Sequence, residues 1–128
     1  LNKIRKYSRS YAKKRRRENL IYRLRTNISS RIYEVFKKGG HKKPETTIAL
    51  LGIDFHIVKS YIEKQFVKGM TWANYGKWHI DHKIPLSLAK TEAEIKNLCH
   101  YTNLQPLWKF ENQSKSNKIL NIQLKLTI

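Results

Sequence analysis

The stretch Trp78-His79-Ile80-Asp81-His82 decides how the rest of this chain is read. Trp78 and Ile80 alternate with His79 and Asp81, the period of two that marks a half-buried strand. On an ideal strand His79 and Asp81 share one face and His82 points to the other. Asp81 and His82 therefore address one small target only where the chain leaves ideal strand geometry. A second strand-like run opens at Asn103, in Asn103-Leu104-Gln105-Pro106-Leu107-Trp108, and Pro106 restricts it to an edge or a short pairing. A polar, helix-compatible segment from Lys109 to about Leu120 follows, with Asn112 near its start and Lys115 three positions on. The order is strand, strand, helix, with polar side chains at the junctions.

Upstream, the periodicity is helical. Leu20, Leu24, Ile28, Ile32, Val35 and Phe36 recur at three and four, which predicts a helix from about Asn19 to Lys38 that stops at Gly39-Gly40. Arg23, Arg31 and Lys38 lie off that stripe. Pro44-Glu45-Thr46-Thr47 reads as the start of a short helix that ends at Gly52. Asp54 is a good N-cap for a third helix, with Phe55, Val58, Ile62 and Phe66 as its apolar side and Gly69 as its close. Trp72, Tyr75 and Trp78 either pack beneath the strand or present a stacking surface for bases, and packing is preferred. Thr91 with Glu94 forms a capping box for a helix carrying Ile95 and Leu98. His56 and His100 are read as surface or structural residues. The tail, Asn121 to Ile128, alternates Ile122, Leu124 and Leu126 with polar residues, as an edge strand does.

The chain has 128 residues, 40% of them hydrophobic, enough for one domain with a modest core. Its 27 Lys+Arg against 9 Asp+Glu give a formal charge of +18, which argues for a polyanionic partner. A ribosomal-type binding protein has such a charge too, so charge gives the partner class and nothing about reaction. Residues 1 to 17 hold nine basic side chains and no acid. A like-charged block repels itself, and it is expected to be disordered or frayed without nucleic acid. Its functional reading is an arm, residues 1–18, whose Lys13, Lys14, Arg15, Arg16 and Arg17 lie along nucleic-acid phosphates or enter a groove; the alternative is a solvated tail. Residues 19–128 form a single domain with its strand–strand–helix core at about 77–120. With Cys99 as its one cysteine, the chain forms no internal disulfide and no zinc site from two or more of its own cysteines. No apolar run approaches the roughly 20 residues needed to span a membrane. No secretory pattern follows the basic start, so an intracellular, cytoplasmic setting is expected.

A polyanion with hydrolysable links needs a base for water, a cation for the charge that builds on phosphate, and a frame. Histidine, with an ordinary pKa of roughly 6.5, is the natural base near neutral pH, and His82 is the choice here. Asp81 and Asn112 offer a carboxylate and an amide oxygen, a pair suited to a hard cation such as Mg²⁺, with Mn²⁺ as the alternative. His79, on the face of Asp81, is a candidate for contact with metal or phosphate.

Beyond these residues, Trp78 to Ser87, His100 to Trp108 and Glu111-Asn112-Gln113-Ser114-Lys115 resemble the two halves of the HNH (ββα-metal, His-Me finger) endonuclease family. Small bacteriophage and prophage members are the most similar. Leu50-Leu51-Gly52 and Gly69-Met70-Thr71-Trp72 through Tyr75-Gly76 look like the leader of those proteins, so the resemblance spans about Leu50 to Lys118. It implies an α+β fold with a ββα-metal motif behind preceding helices, and a metal-dependent DNA endonuclease that leaves 5′-phosphate and 3′-hydroxyl ends. It implies His82 as general base and Asp81 and Asn112 as ligands of one divalent cation; the zinc ribbon that some members carry is not expected here, because Cys99 is the one cysteine. Asn103 would brace the loop between the strands and help orient His82. Lys115 would contact phosphate, with Lys83, Lys109 and Lys118 as further candidates. Asn112 stands where many members have His, and Asn117 is its rival. Double-stranded DNA is the expected partner and a phage the expected source. The reading from another class is a non-catalytic nucleic-acid-binding module on the same scaffold.

Overall fold

A computed structural model describes the backbone of residues 2–115 and the side chains of residues 8–15 and 18–112. Four helices come first: α1 (Asn2–Glu18), α2 (Leu20–Lys38), α3 (Thr47–Leu51) and α4 (Phe55–Glu63). Strand β1 (Trp78–His82), helix α5 (Glu92–Leu98), strand β2 (Leu104–Trp108) and helix α6 (Lys109–Lys115) follow. Among the described residues the fold is α+β: helices and one two-stranded antiparallel sheet. Among the described residues, no helix is long and apolar enough to cross a membrane.

The basic arm is helical, which corrects the expectation of disorder. No Gly or Pro interrupts residues 2–18, and Lys and Arg are good helix formers. The helix is broken only at Asn19, which takes extended dihedrals and whose Oδ1 accepts the Tyr22 N–H at 3.0 Å, capping α2. From α2, Leu24, Ile28, Ile32 and Phe36 enter the core at 2% exposure or less. They meet Leu50 and Leu51 of α3, Phe55, Val58 and Ile62 of α4, and Trp78 and Leu104 of the sheet.

Two helix boundaries differ from expectation. Thr46 accepts the Ala49 N–H on its hydroxyl, so α3 starts at Thr47, and Pro44 and Glu45 stay outside. Asp54 caps α4 as expected, accepting from His56 and Ile57 N–H, but α4 ends at Glu63 rather than near Gly69. There the Gln65 and Phe66 amides turn back to Ile62 and Glu63 carbonyls, tightening the chain. Phe66 is thereby released from the helix to pack on Trp72 and Trp78, with ring centroids 5.3 and 5.1 Å away. Tyr75 stacks on Trp78 at 4.7 Å, so these aromatics support the strand.

The strands pair with Trp78 opposite Trp108, Ile80 opposite Pro106, Asp81 opposite Gln105 and His82 opposite Leu104. Pro106 is tolerated because both strands of a two-stranded sheet are edges. Asn103 lies just outside β2, in a short 3₁₀ turn at Tyr101–Asn103. Helix α6 leaves β2 without a loop and packs against both strands. The reading of residues 116–128, with Asn117, Lys118 and the alternating tail, lies outside the described residues.

Candidate functional site

The site is built at the C-terminal end of β1. Asp81 and His82 are both buried, so burial does not alternate there as it would on an open ribbon. The Asp81 Oδ2 accepts a hydrogen bond from Gln105 Nε2, directly across the sheet, at 3.0 Å. The chain then turns through Lys83 and Ile84, and Asn103 holds that turn. Its Oδ1 accepts the Ile84 N–H at 2.9 Å, and its Nδ2 donates to the carbonyls of Ile84 at 3.0 Å and Leu98 at 2.8 Å. The Lys83 N–H adds a backbone bond to the Asn103 carbonyl at 2.7 Å. The residues after His82 are thus fixed to both α5 and the start of β2 by one buried amide.

A cavity of about 790 Å³ opens beside this turn. His82, His79, Asn112 and Tyr75 line it, together with Lys13 of α1, Arg23 and Arg31 of α2, and Lys109 of α6. Four cations face the opening, and no Asp or Glu among the described residues lines it. Burial, then the charges of Arg31, Lys109 and Arg23, hold the His79 imidazole below the usual histidine range, favouring its neutral form. Burial raises the Tyr75 phenol, and the Asn27 hydrogen bond and the nearby arginines moderate the rise.

His82 and Asn112 line the same cavity although thirty positions separate them in the chain. His79 joins them, while Asp81 is buried on Gln105 and does not line the opening. Lys13 reaches the cavity. Lys14 is exposed, and Arg15 stacks over the Tyr22 ring at 4.5 Å. The side chains of Arg16, Arg17 and Lys115 lie outside those described. Lys83 sits 5.7 Å from the Tyr61 ring with its ammonium 3.3 Å from the Tyr61 hydroxyl. His100 is structural as expected, its ring nitrogen 2.8 Å from the Thr102 hydroxyl. Cys99 is fully buried in the core, and burial pushes its thiol up to about 11.

Three contributors were not singled out from sequence: Arg23, Arg31 and Gln105. The arginines carry a signal, since Arg23, Asn27 and Arg31 recur every four residues on the flank of the apolar stripe. Gln105 has none until the strand register is known.

Two uncharacterized proteins of Acanthamoeba polyphaga mimivirus are similar to this chain. One is 41% identical over 116 residues, covering 88% of this chain and 50% of its own length. The other is 31% identical over 140 residues, covering 96% of this chain and 59% of its own length. The chain spans about half the length of these curated relatives. Both come from a mimivirus, whereas the resemblance read in the sequence pointed to bacteriophage proteins. No family model matches the chain, and no solved structure matches it.

Proposed function

We propose that this chain is a metal-dependent DNA endonuclease of the HNH (ββα-metal) type. The observation that carries the reading is that His82 and Asn112 line one cavity together with Lys13, Arg23, Arg31 and Lys109, with no described acid in its lining. The strand–strand–helix order, with Asp81-His82 ending one strand and Asn103 bracing the turn beyond, supports it.

Among the described residues, no three His, Cys, Asp or Glu side chains gather as a metal site. The ligand set in this reading is instead mixed, the Asp81 carboxylate and the Asn112 amide oxygen. That chemistry fits Mg²⁺ or Mn²⁺, which take few protein oxygens and complete their shell with water and phosphate. When bound, the cation supplies Lewis-acid stabilisation of charge on the phosphate and the leaving oxygen. The chain's own residues do the rest. His82 takes a proton from water as the water oxygen bonds to phosphorus. The bond to the 3′ oxygen breaks, and that oxygen takes a proton from solvent water, leaving a 3′-hydroxyl and a 5′-phosphate. Asn103 keeps the turn after His82 in place, and the cations around the cavity hold the strand.

One observation favours the binding-module reading: Asp81 is engaged by Gln105 and stays outside the cavity lining. Supercoiled plasmid with Mg²⁺, against an EDTA control, separates the two. The nuclease reading expects metal-dependent nicked or linear product, and expects His82→Ala to bind DNA but cut about 10²- to 10⁴-fold more slowly, the usual range for removal of a general base. A parent chain that binds and never cuts leaves the binding module. A His82→Ala variant that cuts as fast as the parent removes His82 from the mechanism.

A further inference from the structure

We infer that α2 carries a built clamp for phosphodiesters, Arg23 and Arg31, which seats a nucleic-acid strand along the helix beside His82; the identity of that strand rests on the nuclease reading. Arg23, Asn27 and Arg31 follow one another at intervals of four, one face of the helix. Their α-carbons stand eight residues apart, about 12 Å along the axis. That spacing lets the two arginines meet different phosphates of one strand.

Each guanidinium is held before any ligand arrives. Arg23 Nη2 donates to the Tyr75 carbonyl at 3.0 Å, and Arg31 Nη1 donates to the Ile80 carbonyl at 3.0 Å. Each bond uses one of five N–H donors and fixes the plane of the others. Arg23 also lies 4.2 Å over the Tyr75 ring, which itself stacks on Trp78. The neighbouring backbone makes room for it. Gly76 has φ of 118°, and a Cβ there would stand 3.2 Å from Arg23 Nη2, so a larger residue would be strained and would crowd the arginine.

The surroundings select an anion. The ion pairs His41–Glu92, Lys59–Glu63 and Lys96–Glu45 lie away from the cavity. The remaining guanidinium donors face an opening shared with Lys13 and Lys109 and lined by no described carboxylate. Planar guanidiniums with spare paired donors match phosphate oxygens. Arg31 has a second consequence, because its bond to Ile80 ties it to the residue just before Asp81. It is a positioning residue: a phosphate seated there is held in register with His82.

The test is anisotropy of a labelled 20-base-pair duplex with the full chain in EDTA, from about 50 to 200 mM salt. Removing one cation that neutralises a phosphate lowers the slope of log K against log salt by about 0.9. Arg23→Gln and Arg31→Gln are each expected to lower it by about 0.9, the double variant by about 1.8. Lys68→Gln, which removes an exposed charge outside the cavity, leaves it unchanged. Arg31→Lys keeps the charge and is expected to restore most of the slope, but not the rate of cleavage in Mg²⁺. Should Arg31→Gln fail to fold, Arg23→Gln and Arg31→Lys carry the test. Arginine variants with the parent's slope overturn the clamp, as does a Lys68→Gln decrease equal to theirs or a parent without salt-dependent binding. Because no cutting occurs in EDTA, a parent that binds but never cuts sinks the nuclease reading and leaves the clamp. A parent that cuts while the arginine variants keep its slope does the reverse.

Discussion

Replacing Asn103 by Ala removes the side chain that ties three separated points of the backbone. Three hydrogen bonds disappear, one accepted from the Ile84 N–H and two donated to the Ile84 and Leu98 carbonyls, all at 3.0 Å or shorter. Neutral hydrogen bonds of this kind contribute about 1 kcal/mol each, so the expected loss is about 3 kcal/mol. That is a large share of the roughly 5–15 kcal/mol that holds a domain folded, yet it leaves the variant folded at 25 °C. In urea, with a slope of about 1.5–2 kcal/mol per molar, the midpoint followed by circular dichroism drops by about 1.5–2 M. Asn103→Asp sharpens the test because it keeps size and the acceptor for Ile84 N–H. Its second oxygen then faces two carbonyl oxygens where an amide donor stood. Near neutral pH it is expected to lose at least as much stability as Ala. Its carboxyl, buried and facing acceptors, has a folded pKa above the unfolded value of about 3.9. Stability from such a group is present below the unfolded pKa and lost as pH rises through the folded one. The gap between the Asp and Ala variants therefore closes as pH falls from 7 toward 4. A midpoint shift under about 0.5 M for Asn103→Ala would refute the claim that this amide holds the turn.

The His79 imidazole is depressed in the fold by burial and by Arg31, Lys109 and Arg23. Its contribution is complete above the unfolded pKa of about 6.5 and lost as pH falls through the folded one. His79→Gln should therefore flatten the decline in stability below pH 6.5, and an unchanged pH profile by urea titration rejects the assignment. Cys99, fully buried with its thiol at about 11, should react with a thiol reagent only after denaturation; a stoichiometric reaction in buffer at pH 8 contradicts that burial. Gly52→Ala places a Cβ at φ of 84°, 3.1 Å from His100 Nε2, and should lower stability by about 1–3 kcal/mol; a melting temperature equal to the parent's would contradict the turn. In the proposed nuclease reading, Gln105→Leu removes the donor on Asp81, and by the usual effect of such partners should raise the Mg²⁺ needed for half-maximal plasmid cleavage about 10-fold or more. An identical Mg²⁺ titration separates Gln105 from the metal.

Periodicity located α2 to within a residue, because an apolar side chain recurs at every turn and Gly39-Gly40 follows it. Asp54 and Thr91 were legible as caps because a short oxygen before an apolar run has few other uses. Where α4 ends was not legible. Phe66 keeps the helical spacing, but its ring gains more from Trp72 and Trp78 than the helix gains from one more turn. The arm's helicity was hidden for a different reason. Charge repulsion argues for disorder, whereas uninterrupted good helix formers argue for a helix. In the site, Asn103 stood out by its neighbours in sequence, and its three bonds agree with a bracing role. Gln105 did not stand out, because only the strand register places it opposite Asp81.

The cations about the cavity follow the same division. The total of +18 says only that a polyanion is welcome. Which cations matter is decided by anchoring, and anchoring is a property of tertiary structure. Arg23 and Arg31 are held by carbonyls of Tyr75 and Ile80, some fifty residues away in the chain. Exposed lysines elsewhere add to the long-range field but lose rotamer freedom on every contact they make. An arginine already fixed by one hydrogen bond has given up that freedom during folding, so its remaining donors bind an anion with less to lose. The cost falls on the folded chain as repulsion among Lys13, Arg23, Arg31 and Lys109, and burial together with Arg31, Lys109 and Arg23 pushes the His79 pKa down. A phosphate strand removes that repulsion, which makes the cavity's affinity for anions and its cost in the unliganded chain two consequences of one arrangement.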